Sequence, residues 1–174
     1  MTILTLRRAE PADAARLSLL GGATFLHTFA HDHPGDAIVA HVEKYHSRDW
    51  YARLLADPAN AVWIVETELK APVGFAVMTP PALDCETDDG DLELKRIYLL
   101  GPFQSGGWGV KLLDVVEAEA RARGARRLLL CVYSANLAAQ RFYTRRGYSG
   151  TGSSQAFMVG DVEFEDYIWA KPLD

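Results

Sequence analysis

Residues 91–109 read DLELKRIYLLGPFQSGGWG, and this stretch decides the fold. Its first half alternates Leu92 and Leu94 with polar residues and then runs apolar over 97–100, which is typical of a β-strand. Its second half is rich in glycine, and an amphipathic helix follows it directly. A strand that passes through glycines into a helix leaves unpaired N–H groups at the positive end of the helix dipole. The stretch therefore predicts a binding site for an anion, most often a phosphate.

Three phosphate-binding motifs compete for this turn. A P-loop requires G-x-x-x-x-G-K-[ST], and the sequence contains no such string. A dinucleotide-binding fingerprint requires G-x-G-x-x-G, but Leu112 stands where its last glycine belongs, and Tyr133-Ser134 stands where the next strand should end in a ribose-binding acid. The third motif, Q-x-x-G-x-G, is present from Gln104 to Gly109. On this motif alone, a glycine-rich connection without a ligand stays open as the alternative.

The rest of the chain predicts a mixed α/β fold. The hydrophobic period is near 3.6 in most of the first third and near 2 directly after it. The first third is predicted to hold a strand at 2–8 and helices from Pro11 (with a break or bend at Gly21-Gly22), at 36–45 and at 47–56. A hairpin of strands at 60–67 and 73–79 comes next, followed by the strand that opens 91–109 and a helix ending at Gly124. The remaining elements are a buried strand at 126–133, a helix at 136–146, and a hairpin of strands at 154–159 and 162–170. The strand, helix and strand around the glycine turn are expected to form a right-handed βαβ unit with parallel strands.

The composition indicates one soluble globular domain over residues 1–174. The 174 residues are 49% hydrophobic and 24% charged, and no apolar run approaches the length that crosses a membrane. The N-terminal segment MTILTLRRAEP lacks the apolar region and cleavage site of a signal peptide, so a cytoplasmic location is expected. The net charge of −5 argues against nucleic-acid binding and is compatible with a cationic substrate. Cys85 and Cys131 are expected to be free thiols.

A second motif follows the parallel strands. Residues 136–148 read NLAAQRFYTRRGY, which fits the pattern N-x-x-A-x-x-x-Y-x-x-x-G-[FY]. Because Asn136 and Tyr143 are seven residues apart, both side chains would face one side of a helix. Together with the glycine turn, this segment resembles the GCN5-related N-acetyltransferase (GNAT) superfamily, whose members bind acetyl-CoA at that turn. Segments at 24–32, 92–99 and 157–161 resemble the PaiA-type polyamine acetyltransferases.

The resemblance covers nearly the whole chain and implies the GNAT fold. That fold has a central, mixed, mostly antiparallel seven-stranded sheet, one parallel βαβ unit at the acetyl-CoA site, and helices on both faces. Acetyl-CoA is the implied cosubstrate, no metal is implied, and a homodimer is left open. The positions that correspond to acetyl-CoA-binding positions of the family are Ile97, Tyr98, Leu99, Gln104, Ser105, Gly106, Gly107, Trp108, Gly109, Val110, Asn136 and Tyr143.

The implied reaction is direct transfer of an acetyl group to a primary amine, with a polyamine such as spermidine or spermine favoured. The amine must first lose a proton, since an alkyl ammonium has a pKa of about 10.4. By its place on the strand, Glu93 corresponds to the glutamate base of the family. A strand glutamate paired with Lys95 or Arg96 is the alternative, and this leaves the base open.

Two further groups are implied at the reacting thioester. A β-bulge in the strand is expected near Tyr98 or Leu99, where a backbone N–H would bind the thioester oxygen. The departing CoA thiolate would take its proton from Tyr143, which makes Tyr143 and Glu93 the expected catalytic residues. The amide of Asn136 would bond the pantetheine arm.

The acceptor is the least defined part of the prediction. The acidic residues Glu86, Asp88, Asp89 and Asp91 could hold a second ammonium, or they could form a solvated loop. Among the histidines, His27 and His31 stand at i,i+4, but no matching acid or cysteine accompanies them, so they are expected to line the amine cleft or cap a helix. Protein or peptide α-amines and antibiotic amines remain alternative acceptors, and a CoA-binding regulatory module without catalysis remains an alternative function.

Overall fold

A computed structural model describes residues 3–173 of the chain. The strands are β1 (Leu4–Arg8), β2 (Ala61–Thr67), β3 (Pro72–Thr79), β4 (Leu92–Leu99), β5 (Arg127–Tyr133), β6 (Ser149–Val159) and β7 (Val162–Pro172). The helices are α1 (Ala14–Phe29), α2 (Gly35–Tyr45), α3 (Arg48–Ala56), α4 (Trp108–Ala122) and α5 (Leu137–Arg145). Short 3-10 turns at Pro11–Asp13 and Gly101–Gly106 precede α1 and α4. Thr2, which belongs to the first predicted strand, lies outside the described residues.

All seven strands join one sheet in the order β1-β2-β3-β4-β5-β7-β6. Within the described chain, β4 and β5 are the parallel pair, and the other neighbours are antiparallel. This confirms the predicted mixed, mostly antiparallel sheet with one βαβ unit, in which α4 is the crossover helix. No helix in residues 3–173 is long and apolar enough to cross a membrane.

Three details differ from the sequence prediction. Helix α1 continues through Gly21-Gly22 without a break. A Cβ at Gly21 would overlap the side chains of His46 and Tyr51, so this glycine serves close packing against the next helices. Asn136 is the N-cap of α5 and not a residue of its first turn, and β6 begins at Ser149, five residues earlier than predicted.

The buried apolar residues of the described chain form three clusters, of which two cover opposite faces of the sheet and the third lies between α1, α2 and the hairpin of β6 and β7. On one face, α4 packs Leu112, Leu113 and Val116 against β3, β4 and β5. On the other face, α1 and α3 contribute Leu17 and Tyr51, which pack against β2 and β3. Because both faces are covered, the strands between them read as nearly continuous apolar runs.

β4 and β5 pair over a short distance and then separate. Their parallel pairing spans Leu92 to Leu94, opposite residues 128–130 of β5. Directly afterwards β4 carries a bulge at Lys95, because Met78 pairs with Leu94 while Val77 pairs with Arg96. The expected bulge near Tyr98 or Leu99 therefore lies three to four residues upstream. The extra residue bends β4 at the point where its pairing with β5 ends, which opens a fork between the strands.

The fork leaves backbone amides of β4 without a strand partner. The amide of Leu100 donates to the Val73 carbonyl of β3 at 2.9 Å. Since neighbouring residues of a strand point their amides in opposite directions, the N–H groups of Ile97 and Leu99 point away from β3 and into the fork. This edge positions the site described below.

A buried ionic cluster holds α4 to the end of β7. Glu117 of α4 is 4% exposed, and both of its carboxylate oxygens accept from Lys171 Nζ, at 2.8 and 2.7 Å. The Tyr148 hydroxyl donates to the same carboxylate at 3.1 Å, and Arg121 lies 3.5 Å away. The cluster thus links the crossover helix to the strand next to β5.

Replacing Lys171 by methionine should lower the free energy of unfolding by roughly 3 kcal/mol, because it leaves a buried carboxylate without its main counter-charge. Urea unfolding of Lys171→Met measures this loss. The double variant Lys171→Met/Glu117→Gln should recover most of it, since the uncompensated charge is then gone. Equal stabilities of the single variant and the wild type would show that the cluster contributes nothing to the fold.

Candidate active site

Two adjoining cavities open at the fork between β4 and β5. The first, here called the β7 cavity, has a volume of about 430 Å³ and lies between the sheet and helices α1 and α2. The second, here called the α5 cavity, has a volume of about 770 Å³ and lies between β4, the end of α1 and α5. The two cavities share lining residues at their junction, and these include Ile97, Tyr98, Asn136 and Tyr143. Both volumes fall in the range that holds small-molecule ligands.

The glycine turn forms one end of the α5 cavity. Gly107 has φ +75°, a left-handed conformation that a side chain would strain, and it caps the start of α4. The first intrahelical bond runs from the Lys111 amide to the Gly107 carbonyl at 3.1 Å, so the N–H groups of residues 108–110 have no acceptor within the helix. Gln104 supports the turn by donating to the Leu99 carbonyl at 3.1 Å. The turn therefore offers backbone N–H groups to an anion.

Asn136 and Tyr143 form the wall that faces β4. The Asn136 Oδ1 caps α5 by accepting from the Ala139 amide at 3.0 Å, which leaves the side-chain NH₂ as a donor toward the cavities. Tyr143 is 7% exposed and lines both cavities. Burial raises the pKa of its phenol above the ordinary value, so the phenol stays protonated and can act only as a donor or an acid.

Most of the sequence-predicted binding residues come together here. Those that line the α5 cavity are Ile97, Tyr98, Leu99, Gln104, Gly109, Asn136 and Tyr143. The others, which form the turn and the first turn of α4 at the cavity's edge, are Ser105, Gly106, Gly107, Trp108 and Val110. The ammonium of Lys111 lies 3.9 Å from the centre of the Trp108 ring, so one cation stands beside the turn.

The β7 cavity has aromatic walls and charged groups from the sheet. Its Phe and Tyr lining residues are Phe25, Phe29, Tyr45, Tyr98, Tyr133, Tyr143 and Phe157. Its charged lining residues are Glu93, Lys95, Arg96 and Asp166. Aromatic faces together with carboxylates suit an alkyl ammonium. The cavity therefore has the chemistry of an amine-binding site beside the α5 cavity.

Glu93 combines features of both sequence-based interpretations. It lines the β7 cavity and is 3% exposed, so it is not a solvent-facing strand residue. Its carboxylate nevertheless accepts from the Ala82 amide at 2.8 Å and from Lys95 Nζ at 3.3 Å. Both of its oxygens are thus engaged within the protein.

Asp166 is a functional candidate that the sequence reasoning missed. It lies on β7, is 9% exposed, and its Oδ1 has no hydrogen-bond partner in residues 3–173. Burial raises the pKa of this carboxyl to about 6. A signal was present in the sequence, because Phe164, Asp166 and Ile168 alternate along the strand and put an acid in line with apolar residues.

Arg96 is the second group that the sequence did not assign. Its guanidinium donates to the Tyr51 hydroxyl at 3.1 Å and stacks 4.1 Å from the Trp50 ring. No carboxylate in the described chain forms a salt bridge with it. The Tyr51 hydroxyl is also hydrogen-bonded to His46 Nδ1 at 3.0 Å. Burial, together with the charge of Arg96, lowers the pKa of His46 to about 2 and that of His41 to about 4, so both rings are neutral at physiological pH.

The acidic loop and the helix histidines lie apart from the β7 cavity. Asp91 accepts from Arg127 at 2.6 Å and from the Asp88 amide at 2.8 Å, so it anchors its own loop. Of the acidic candidates before β4, none lines either cavity. His27 and His31 line the α5 cavity, but α1 ends at Phe29 and the two do not share a helix face. No group of three or more metal-ligating side chains occurs in residues 3–173.

A strand edge with free amides, a glycine turn at a helix start and two adjoining cavities are the arrangement expected of an acyltransferase that uses a CoA thioester. The comparisons agree: the model of the acetyltransferase (GNAT) family matches residues 24–148. The chain therefore belongs to the GNAT family, and it is an acetyl-CoA-dependent N-acetyltransferase.

Individual relatives cover nearly the full chain. An uncharacterized N-acetyltransferase of Lactobacillus delbrueckii subsp. lactis is 26% identical over 99% of this chain and 99% of its own. The crystal structure of the PaiA N-acetyltransferase of Thermoplasma acidophilum with coenzyme A has a TM-score of 0.78 at 16% identity, covering 98% of this chain and 99% of that one. The ribosomal-protein-S18-alanine N-acetyltransferase of Escherichia coli has a TM-score of 0.71 at 18% identity, covering 99% and 95%.

Replacing Gly109 by alanine should weaken acetyl-CoA binding about tenfold or more without harming the fold. A Cβ at Gly109 lies 3.7 Å from Leu99 and Phe142, which is ordinary contact, yet it takes up space in the α5 cavity beside the turn. Alanine also favours the helix by up to about 1 kcal/mol, so thermal stability should not fall. Calorimetric titration with acetyl-CoA measures the affinity. Gly35→Ala, where a Cβ meets nothing within 4 Å, is the matched control, and equal affinities in the two variants would contradict this placement.

Proposed function

We propose that this N-acetyltransferase acetylates a small primary amine, with polyamines such as spermidine and spermine as the first class of acceptor. The observation that carries the proposal is the β7 cavity, whose aromatic walls and buried carboxylates adjoin the α5 cavity at Tyr143. The resemblance of three segments to PaiA-type enzymes supports the polyamine, as does the structural likeness to a PaiA N-acetyltransferase. One domain over residues 1–174 and a cytoplasmic location remain parts of this proposal.

The same proposal assigns the acetyl-CoA contacts. The N–H groups of the glycine turn and the first turn of α4 would hold the pyrophosphate, with Gln104 bracing the turn. The side-chain amide of Asn136 would donate to the pantetheine arm. The amides of Ile97 and Leu99 would donate to the thioester carbonyl, in the manner in which strands pair. A donor aimed at the carbonyl oxygen is most useful when that oxygen gains charge in the transition state.

Transfer would be direct, without an acetylated cysteine. Cys131 is the cysteine that lines the β7 cavity, and burial, with the nearby charge of Asp166, raises the pKa of its thiol to about 12. A thiol in that state is a poor nucleophile, since the thiolate is the reactive form. The acceptor amine would therefore attack the thioester itself.

Tyr143 would supply the proton to the departing sulfur. A thiol has a pKa of about 8.5, and the buried phenol is a weaker acid than that, so complete transfer to a free thiolate is uphill. The proton instead moves as the sulfur leaves, and the phenolate recovers a proton from the new amide nitrogen. The phenol thus relays a proton from nitrogen to sulfur.

A second class of acceptor is an amine that also carries a carboxylate, such as an amino acid or a peptide. Arg96 favours it, because this cation lines the β7 cavity and has only neutral partners in the described chain. A planar guanidinium matches a carboxylate with two parallel bonds. The structural likeness to an acetyltransferase of a ribosomal-protein alanine is in keeping with this alternative.

The variant Tyr143→Phe should lower the single-turnover rate of acetyl transfer by about 10²-fold or more, as expected for loss of a general acid. Acetyl-CoA affinity should change less than about threefold, because the ring and its packing remain. Rapid-quench kinetics measures the chemical step. Tyr167→Phe, at an exposed tyrosine of β7, is the matched control. An unchanged chemical step in Tyr143→Phe would remove this tyrosine from the mechanism.

A thiol-release screen with spermidine, spermine, amino acids, dipeptides and aminoglycosides should give turnover with the two polyamines. In Arg96→Gln the KM of any carboxylate-bearing acceptor should rise at least about tenfold, whereas that of spermidine should not rise, since a polyamine has no anion for Arg96 to bind. If both polyamines are inert while a dipeptide reacts, the polyamine assignment is wrong and the second class of acceptor is correct.

A further inference from the structure

We propose that Asp166, and not Glu93, takes the proton from the acceptor ammonium before acetyl transfer. This rests on the proposed function, because it assumes an amine in the β7 cavity. Asp166 would touch the substrate directly and would therefore be a catalytic residue. Neither the family motifs nor the sequence pattern assign it this role.

The position of Asp166 in the sheet places it on the wall of the β7 cavity, which Tyr143 also lines. On β7 it stands opposite Tyr133 of β5 on one side and Gln155 of β6 on the other. Both neighbours line the β7 cavity, and so does Tyr143. Because residues directly opposite on a sheet share a face, the Asp166 carboxylate lies on the cavity side of β7. An acceptor amine in this cavity can reach Asp166 and the fork together.

The surroundings of Asp166 leave its carboxylate uncompensated. The titratable groups that line the cavity with it are Glu93, Lys95, Arg96 and Tyr98 of β4, Cys131 and Tyr133 of β5, His41 and Tyr45 of α2, His46, and Tyr143 of α5, and Gln155 of β6 is a further polar neighbour. Within residues 3–173, none of them donates a hydrogen bond to Asp166 Oδ1, and Asp166 forms no salt bridge. A buried carboxylate without a partner is costly to a fold, so a ligand that supplies a cation or a donor explains its presence.

Glu93 differs from Asp166 because its carboxylate has hydrogen-bond partners and a counter-charge. Its oxygens accept from the Ala82 amide and from Lys95, so its charge is compensated inside the protein. Glu93 thus already has the partners that stabilise its charge, whereas protonation of Asp166 would relieve the cost of a buried charge without a partner. The raised pKa of Asp166, about 6, also leaves it ionised at neutral pH yet more basic than an ordinary carboxylate.

The proton balance of the reaction is complete with these groups. Asp166 takes one proton from the ammonium and becomes a neutral acid, and the freed nitrogen lone pair forms the bond to the thioester carbon. The carbon–sulfur bond breaks as Tyr143 gives its proton to sulfur. The second nitrogen-bound proton then restores Tyr143, and Asp166 releases its proton to water. The products are the N-acetyl amine, the CoA thiol and one proton.

The pH dependence of kcat/KM separates this role from a structural one. With spermidine as acceptor, kcat/KM of the wild type should rise with pH and then level off, and the midpoint of the rise should lie near pH 6. The Asp166→Asn variant can use only amine that is already deprotonated in solution. The rise of kcat/KM with pH should therefore move toward the amine pKa of about 10.4. At pH 7 the variant should be about 10²- to 10⁴-fold slower, the range for a lost general base. In Glu93→Gln the rise of kcat/KM with pH should keep its midpoint near pH 6.

Thermal unfolding shows independently that the variant folds. Folding raises the pKa of Asp166 from 3.8 to about 6. Ionisation of this carboxyl therefore lowers the free energy of unfolding as pH rises from about 4 through 6. Asp166→Asn should therefore unfold at a higher temperature than the wild type at pH 7.5, with the difference vanishing at pH 4. The proposal is supported if Asp166→Asn is more stable than the wild type at pH 7.5 and its kcat/KM no longer rises with a midpoint near pH 6.

Two outcomes would overturn the assignment, and they are distinguishable. If Asp166→Asn keeps the midpoint near pH 6 while Glu93→Gln moves it, Glu93 is the base and Asp166 is not. If the wild type releases no thiol with any amine of the screen, the proposed function fails and this assignment fails with it.

Discussion

The separation of β4 and β5 after Leu94 is the constraint on which the site depends. A sheet normally satisfies the backbone groups of an inner strand on both edges, and here the second edge of β4 is given up from the bulge at Lys95 onward. Unpaired backbone amides are costly when they are buried away from any partner. The amides of Ile97 and Leu99 therefore form an edge that a ligand can complete as a strand would. The glycine turn extends the same row of N–H groups to the start of α4.

The fork also explains why two cavities meet at one tyrosine. α5 lies across the open side of the fork, and its residue Tyr143 closes the junction between the α5 cavity and the β7 cavity. In the proposed reaction, acetyl-CoA would lie along the strand edge in the α5 cavity, and the amine would lie in the β7 cavity beside α1 and α2. Burial of Tyr143 keeps its proton in place, and burial of Asp166 makes its carboxylate more basic.

The fold could be predicted from the sequence, and the residues expected to bind acetyl-CoA come together at one cavity, because both rest on local patterns. The hydrophobic period, the glycines and the helix ends can each be recognised in a short segment of sequence. The two motifs at 104–109 and 136–148 lie on elements that face the same cavity. The acceptor side could not be predicted in the same way. Asp166 and Arg96 are candidates because each lacks an oppositely charged partner in the described chain, and a missing partner depends on distant strands and helices. The composition of the acidic loop suits an ammonium, but Asp91 is already paired with Arg127, which lies 36 residues further along the chain. The bulge was expected too far along β4 because a bulge follows from pairing with a neighbour strand, which no single strand sequence shows.

We propose that the open edge of β4 and the glycine turn together form the acetyl-CoA site. Amide hydrogen exchange with and without coenzyme A tests this proposal residue by residue. We expect slower exchange of the amides of Ile97, Leu99 and residues 108–110 in the complex, with little change at β1 and β2. Tight binding of coenzyme A that leaves those amides unprotected, or that protects another part of the sheet instead, would contradict it.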